Sequence, residues 1–377
     1  MPRRWDIFCA VVDNFGDIGV CWRLARRLSL GLGQSVRLWV DDLYSFQRLR
    51  AAVDPAQAAQ TIDGIEVLGW DAHAAAVEPA DIVIEGFGVK LPARYLDAMA
   101  ARQRPPAWIN LEYLSAEPWV DTHHGLPSPH PRLPLTKYFF FPGFTAATGG
   151  VLIEAGLAAA REALRADPAA QAAFRRSIGI AAHADATLWL SLFCYDNRAL
   201  APLVSAWAGD ARGVDCIVPA GVALKQLEAI AGRAIVPGAC VRLGALRIHA
   251  IPFLDPDQYD RLLWTCDLNL VRGEDSFVRA QLAARPLLWQ AYPQDEGAHL
   301  TKAEAFCDRY FAGLSPAVGR DLFTAWNRQC GDIAGAWAAL RDGLPRLNAH
   351  AAGWARRLEE NGDLALNLAT FCEDRLE

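Results

Sequence analysis

Short apolar runs alternate with stretches of helical spacing along most of this chain. Residues 5–12 open with such a run and read as a strand; residues 20–30 follow, with Trp22, Leu24, Ala25 and Leu28 falling on one helical face. Strand-like runs recur at 36–40, 65–68, 82–85 and 108–111, with helices near 46–52 and 95–102. Strands separated by helices of this length predict a parallel, doubly wound sheet. A second alternating set begins at 187–193 and continues through 216–219, 248–252, 268–271 and 287–289, with helices near 200–208, 224–231, 257–264 and 277–284. Between the sets lie a Pro- and His-rich stretch at 117–134 without periodicity, an aromatic run at 138–141 closed by Pro142-Gly143, and an Ala-rich, helical stretch at 146–183. The first reads as a long loop of the kind that tends to be functional. From about residue 317 onward the chain reads as mostly helical. The pattern predicts an α/β protein of GT-B type: two doubly wound, Rossmann-like domains, 1–182 and 183–351, facing across a cleft, with a tail at 352–377 that rejoins the first.

Composition narrows this without changing it. At 377 residues the chain suits two α/β domains, and 53% apolar with 21% charged residues is the balance of a packed globular protein. A net charge of −6 gives no argument for nucleic acid, which calls for a basic patch. A strand carrying Asp6 begins almost at once, where a secretory leader would be basic and then apolar, and no stretch has the roughly 18 uncharged apolar residues of a membrane helix. The nine cysteines form no C-x-x-C pair and sit mostly in apolar runs, which fits buried thiols in a reducing cytoplasm. His123, His124 and His130 lack metal-ligand spacing, so no metal is expected there.

Two acidic loops carry the candidate chemistry. Asp13-Asn14-Phe15-Gly16-Asp17-Ile18-Gly19 follows the first strand, and Arg272-Gly273-Glu274-Asp275-Ser276-Phe277 follows the run at 268–271. Ligands of open α/β sheets bind outside the carboxyl ends of strands. The first loop lacks G-x-G-x-x-G, and a carboxylate at Asp17 would compete with a phosphate for the helix N-terminus. It is better built to hold a cation or take a proton. A plainer reading stays open: Asp17 as a helix N-cap and Asp13 as a turn residue. In the second loop, Arg272 and the amides leading into the next helix could hold a diphosphate, with Glu274 and Asp275 beside it. The plainer reading there is a capped helix with Arg272 in a surface ion pair. Phe193 and Tyr195 end one strand and Phe253 another, where rings could stack on a nucleobase; Gln258 opens a nearby helix. The turn containing Tyr292, Gln294, Asp295, Glu296 and His299 could complete a nucleotide pocket, although a lone histidine more often caps a helix.

Together these segments resemble a known family, the elongation factor P arginine rhamnosyltransferases, over nearly the whole chain. The resemblance rests on the segments 5–9, 12–26, 36–43, 110–117 and 272–281, long and specific motifs with no departure at the acidic positions. It implies a bacterial GT-B enzyme that transfers L-rhamnose from dTDP-β-L-rhamnose to an arginine of elongation factor P, with inversion and without a metal. It also implies that Asp13, Asp17 and Glu274 carry catalysis and that Phe193, Tyr195, Phe253, Gln258, Arg272, Asp275 and Ser276 surround the dTDP moiety. Two alternatives remain. One is another GT-B glycosyltransferase or sugar-nucleotide epimerase with a small-molecule substrate. The other is a non-catalytic module whose acidic loops hold a basic partner segment.

Overall fold

The computed structural model describes residues 2–12, 15–70, 77–181, 187–294 and 297–376. By contacts the chain divides into two units, Met1–Ala155 with Leu358–Glu377, and Gly156–Arg357.

The first unit is built on an eight-stranded sheet: β1 (Arg4–Cys9), β2 (Ser35–Val40), β3 (Ala59–Ile62), β4 (Ile65–Gly69), β5 (Ile82–Gly86), β6 (Ala107–Leu111), β7 (Pro127–Pro129) and β8 (Thr136–Phe140). Their order is β3-β4-β2-β1-β5-β6-β8-β7, parallel except for the edge pairs β3/β4 and β7/β8. The central strands are buried on both faces, as helix-covered parallel strands must be, and so read as largely apolar runs. Phe8, Trp39, Tyr95 and Trp108 fill one side. Inside this layer the Asp6 carboxylate is fully buried and takes a forked Arg37 at 2.6 and 2.7 Å, Trp39 Nε1 at 3.0 Å and the Ala80 amide at 2.9 Å. A buried carboxylate persists only with such partners.

The second unit repeats the plan with six strands: β9 (Leu188–Leu192), β10 (Val214–Pro219), β11 (Cys240–Leu243), β12 (Leu246–Ile251), β13 (Leu268–Arg272) and β14 (Leu287–Gln290). The order is β11-β12-β10-β9-β13-β14, with only β11 antiparallel. Here buried Asp215 plays the part of Asp6, accepting from Arg247 at 2.7 and 2.9 Å and pairing with His249 at 2.7 Å.

The Ala-rich stretch forms two helices, Leu157–Ala166 and Pro168–Ser177, and both belong to the second unit, whereas the sequence pattern placed them before a boundary at 182. Their arginines explain the difference. Arg161 donates to the Leu282 carbonyl at 2.6 Å, Arg165 to Ala284 at 3.1 Å and Arg175 to Thr265 at 2.9 Å, while Phe174 and Ile178 pack with Ile217 and Ile251. The C-terminal helix Leu364–Glu373 belongs to the first unit. Asp363 before it takes Arg27 Nε at 2.9 Å, the Leu364 amide donates to Val151, and Phe371 packs its ring on Phe140. The stretch read as a bare loop at 117–134 contains the one-turn helix Val120–His123 and edge strand β7.

Candidate active site

In each sheet one pair of neighbouring strands sends its connections to opposite sides, and the carboxyl end of that pair is where open α/β sheets take ligands. In the first unit the pair is β1 and β5; in the second it is β9 and β13. The candidate loops stand at these two places.

At the first, β1 stops at Cys9, sooner than its apolar run suggested, because the chain turns out of the sheet and leaves Val12 70% exposed. Val11 N–H donates to Asp41 Oδ1, and Val12 N–H donates to Asp17 Oδ2, both at 2.9 Å. The following helix, Gly16–Arg26, has Phe15 at its N-cap without a side-chain cap. Asp17 is therefore not the cap; it is buried, and its Oδ1 accepts from the Tyr113 hydroxyl at 2.9 Å. Asp13 lies outside the described residues. Tyr113 follows β6, and its ring stacks on Phe87 at 4.3 Å with 13° between planes. Phe87 follows β5 in the left-handed region at φ +60, a costly conformation for a bulky residue. Gly86 before it has no room for a side chain, since a Cβ would stand 2.9 Å from both the Phe8 carbonyl and Cys21 Sγ. Beneath the loop Cys9 stays a thiol, held well above its ordinary pKa by its hydrogen bond with Cys21 and by burial.

At the second, Arg272 ends β13 and is buried, its guanidinium carbon 4.6 Å from the Phe193 ring centre and 4.4 Å from that of Tyr195. This excludes the surface ion pair as its role and is a geometry that arginine, not lysine, provides. Gly273 takes φ +64, which only glycine adopts without strain. The turn is braced by Trp289 Nε1 on the Gly273 carbonyl at 2.8 Å, and by Ser276 Oγ, which accepts from the Arg272 amide at 3.2 Å and donates to the Arg272 carbonyl. Half-buried Glu274 is the N-cap residue of the helix Asp275–Leu282, with no side-chain cap bond, and half-buried Asp275 opens its first turn. Tyr195 is fixed by its amide on Gln290 Oε1 at 3.0 Å and by an edge contact with Tyr292 at 5.4 Å. Burial pushes the thiol of Cys194, which lies between Phe193 and Tyr195 in sequence, up to about 12.

Phe193, Tyr195, Arg272 and Ser276 thus form one cluster. Phe253 is half-buried just past the carboxyl end of β12 on the same edge of the sheet. Gln258 is exposed and forms a capping box with Asp255 on the helix Pro256–Thr265, so its side chain holds its own helix end. His299 Nδ1 accepts from the Gln294 amide at 3.2 Å, a turn-capping role; Asp295 and Glu296 lie outside the described residues. His124 and His130 likewise brace backbone amides, of Phe141 at 3.1 Å and Leu133 at 3.0 Å. Among the described residues no group of three His, Cys, Asp or Glu could hold a metal ion, and no helix is long and apolar enough to cross a membrane. Tyr113, Phe87 and Gln290 were not singled out from the sequence. Tyr113 lies in the segment 110–117, but only the fold shows it meeting Asp17.

Two doubly wound units, each built on a mostly parallel sheet, define the fold of GT-B glycosyltransferases. A solved structure of MurG from Acinetobacter baumannii shares this fold at TM-score 0.52 and 11% identity, over 99% of this chain and 100% of that one. Residues 5–373 match the family described as Elongation-Factor P (EF-P) rhamnosyltransferase EarP. The chain belongs to that family and is a rhamnosyl-transferring enzyme. The protein-arginine rhamnosyltransferase of Pseudomonas putida is 46% identical over 100% of both chains. A structure solved for EarP-mediated arginine glycosylation of translation elongation factor EF-P superposes at TM-score 0.72 with 34% identity, covering 99% of each chain.

Proposed function

We propose that this enzyme transfers L-rhamnose from dTDP-β-L-rhamnose to an arginine side chain of elongation factor P, inverting the anomeric carbon, in the cytoplasm. Family membership supports the acceptor and the sugar. The observation that carries the chemistry is Asp17, a carboxylate held at the first switch point by Val12 N–H and the Tyr113 hydroxyl.

A guanidinium has a pKa above roughly 12 and a delocalised lone pair, so it is a poor nucleophile until carboxylates bind its fork and take a proton. Asp17 is the general base, and Asp13 orients the guanidinium. The arginine nitrogen attacks the anomeric carbon from the face opposite the diphosphate. As the C–N bond forms, the C–O bond breaks with its electron pair going to dTDP, and the proton goes to Asp17. This single displacement yields α-rhamnosyl-arginine. Arg272, with the amides of the helix Asp275–Leu282, binds the departing diphosphate; Phe193, Tyr195 and Phe253 take the base, and Ser276, Asp275 and the side-chain Nε2 of Gln258, whose Oε1 serves the capping box, add polar contacts. Glu274 positions acceptor or sugar. These donors serve the leaving group without a metal, so turnover is expected to persist in EDTA.

Incubation with dTDP-β-L-rhamnose and elongation factor P, followed by mass spectrometry and NMR, tests the reading. One deoxyhexose on one arginine, α-linked, is expected. Donor turnover with an unmodified acceptor protein would instead favour a small-molecule glycosyltransferase or an epimerase.

A further inference from the structure

We propose that Tyr113 is the positioning residue of Asp17, a role that rests on the reading of Asp17 as the base. A carboxylate that must accept a proton along one direction has to be stopped from turning about its own bond, and one backbone amide does not do that. Here the two oxygens are held from different elements. Val12 N–H, on the loop leaving β1, holds Oδ2 at 2.9 Å, and the Tyr113 hydroxyl, beyond the end of β6, holds Oδ1 at 2.9 Å. Together they fix the carboxylate plane.

The tyrosine is itself held. Its ring stacks on Phe87 at 4.3 Å. Phe87 is kept at φ +60 with its amide donating to the Leu111 carbonyl at 2.7 Å, in a turn that Gly86 makes possible by close approach to Phe8. Strain of this kind persists where the surroundings over-determine it and clusters at functional sites. The chain of support runs from β5 through Phe87 and Tyr113 to the carboxylate. Packing alone would need only the ring; the hydroxyl is the part that reaches Asp17.

Tyr113→Phe keeps the ring and removes the hydroxyl, so the protein still folds, its melting temperature falls by no more than a few degrees for the lost hydrogen bond, and its KM for dTDP-rhamnose stays within about twofold of wild type. Its kcat falls about ten- to a hundredfold, the scale of a catalytic group left loosely placed. In the Asp17→Asn background the same change costs less than about twofold more, because the two act as one unit. Phe87→Leu, which keeps the hydroxyl but loosens its support, gives a smaller kcat loss of the same kind. Wild-type kcat in Tyr113→Phe, or a full additive loss on top of Asp17→Asn, overturns the proposal and leaves the arginine-transfer reading standing. Asp17→Asn with turnover within a few-fold of wild type sinks the base assignment and this proposal together, as would a wild-type enzyme that modifies no arginine.

Discussion

The two switch points are built on one plan and furnished oppositely. Each follows a central parallel strand and leads into a helix. At the first, the side chain turned inward is a carboxylate, Asp17, with a tyrosine on it; at the second it is a guanidinium, Arg272, against two aromatic rings. On the proposed function, the first place takes the cationic acceptor and the second takes the anionic nucleotide. A transferase joining a cationic acceptor to a nucleotide-sugar needs both.

Separate effects of single changes at the two places would sharpen this contrast. Asp17→Asn should lower kcat about 10²–10⁴-fold, the range for losing a general base, in assays of acceptor modification at saturating donor. Arg272→Ala should raise the KM for dTDP-rhamnose roughly tenfold or more, since hydrogen bonds to charged groups are worth about 1.5–3 kcal/mol. Arg272→Lys should restore little of it, because an ammonium reproduces neither the fork nor the stacking. The smallest effect concerns stability. Burial, with the charge of Arg375, depresses the pKa of His124 in the first unit, and burial likewise depresses that of His350 in the second. The unfolded chain then binds more protons, so stability falls as pH drops below the unfolded value of about 6.5. Thermal melts between pH 7 and 5 should show this slope, and His124→Asn should flatten part of it; an unchanged slope would remove His124 from the account.

What the sequence disclosed follows from which forces leave a pattern. Central strands such as β5 and β6 are buried on both faces, so Ile82, Val83, Ile84 and Trp108, Ile109 stand as legible apolar runs. The edge strands β3, β7 and β11 are short, half-exposed and antiparallel, and Ala59–Ile62 or Pro127–Pro129 carries no such run. The apolar run overstates β1 because Val11 and Val12 are apolar yet leave the sheet, a turn set by amide bonds to Asp41 and Asp17 rather than by burial. Asp17 and Arg272 were visible as charges where strands end. Tyr113 and Gln290 were not, since what they do depends on a neighbour 96 or 95 residues away. Gln258 illustrates the reverse: Asp255-Pro256-Asp257-Gln258 carries the spacing of a capping box, and the structure uses it so.

The most direct test of the contrast is calorimetric titration of dTDP into wild-type protein, Asp17→Asn and Arg272→Ala. Wild-type and Asp17→Asn proteins should bind with the same affinity, and Arg272→Ala should bind at least about tenfold more weakly. Loss of dTDP binding in Asp17→Asn with affinity retained in Arg272→Ala would contradict the assignment of nucleotide to the second loop and acceptor to the first.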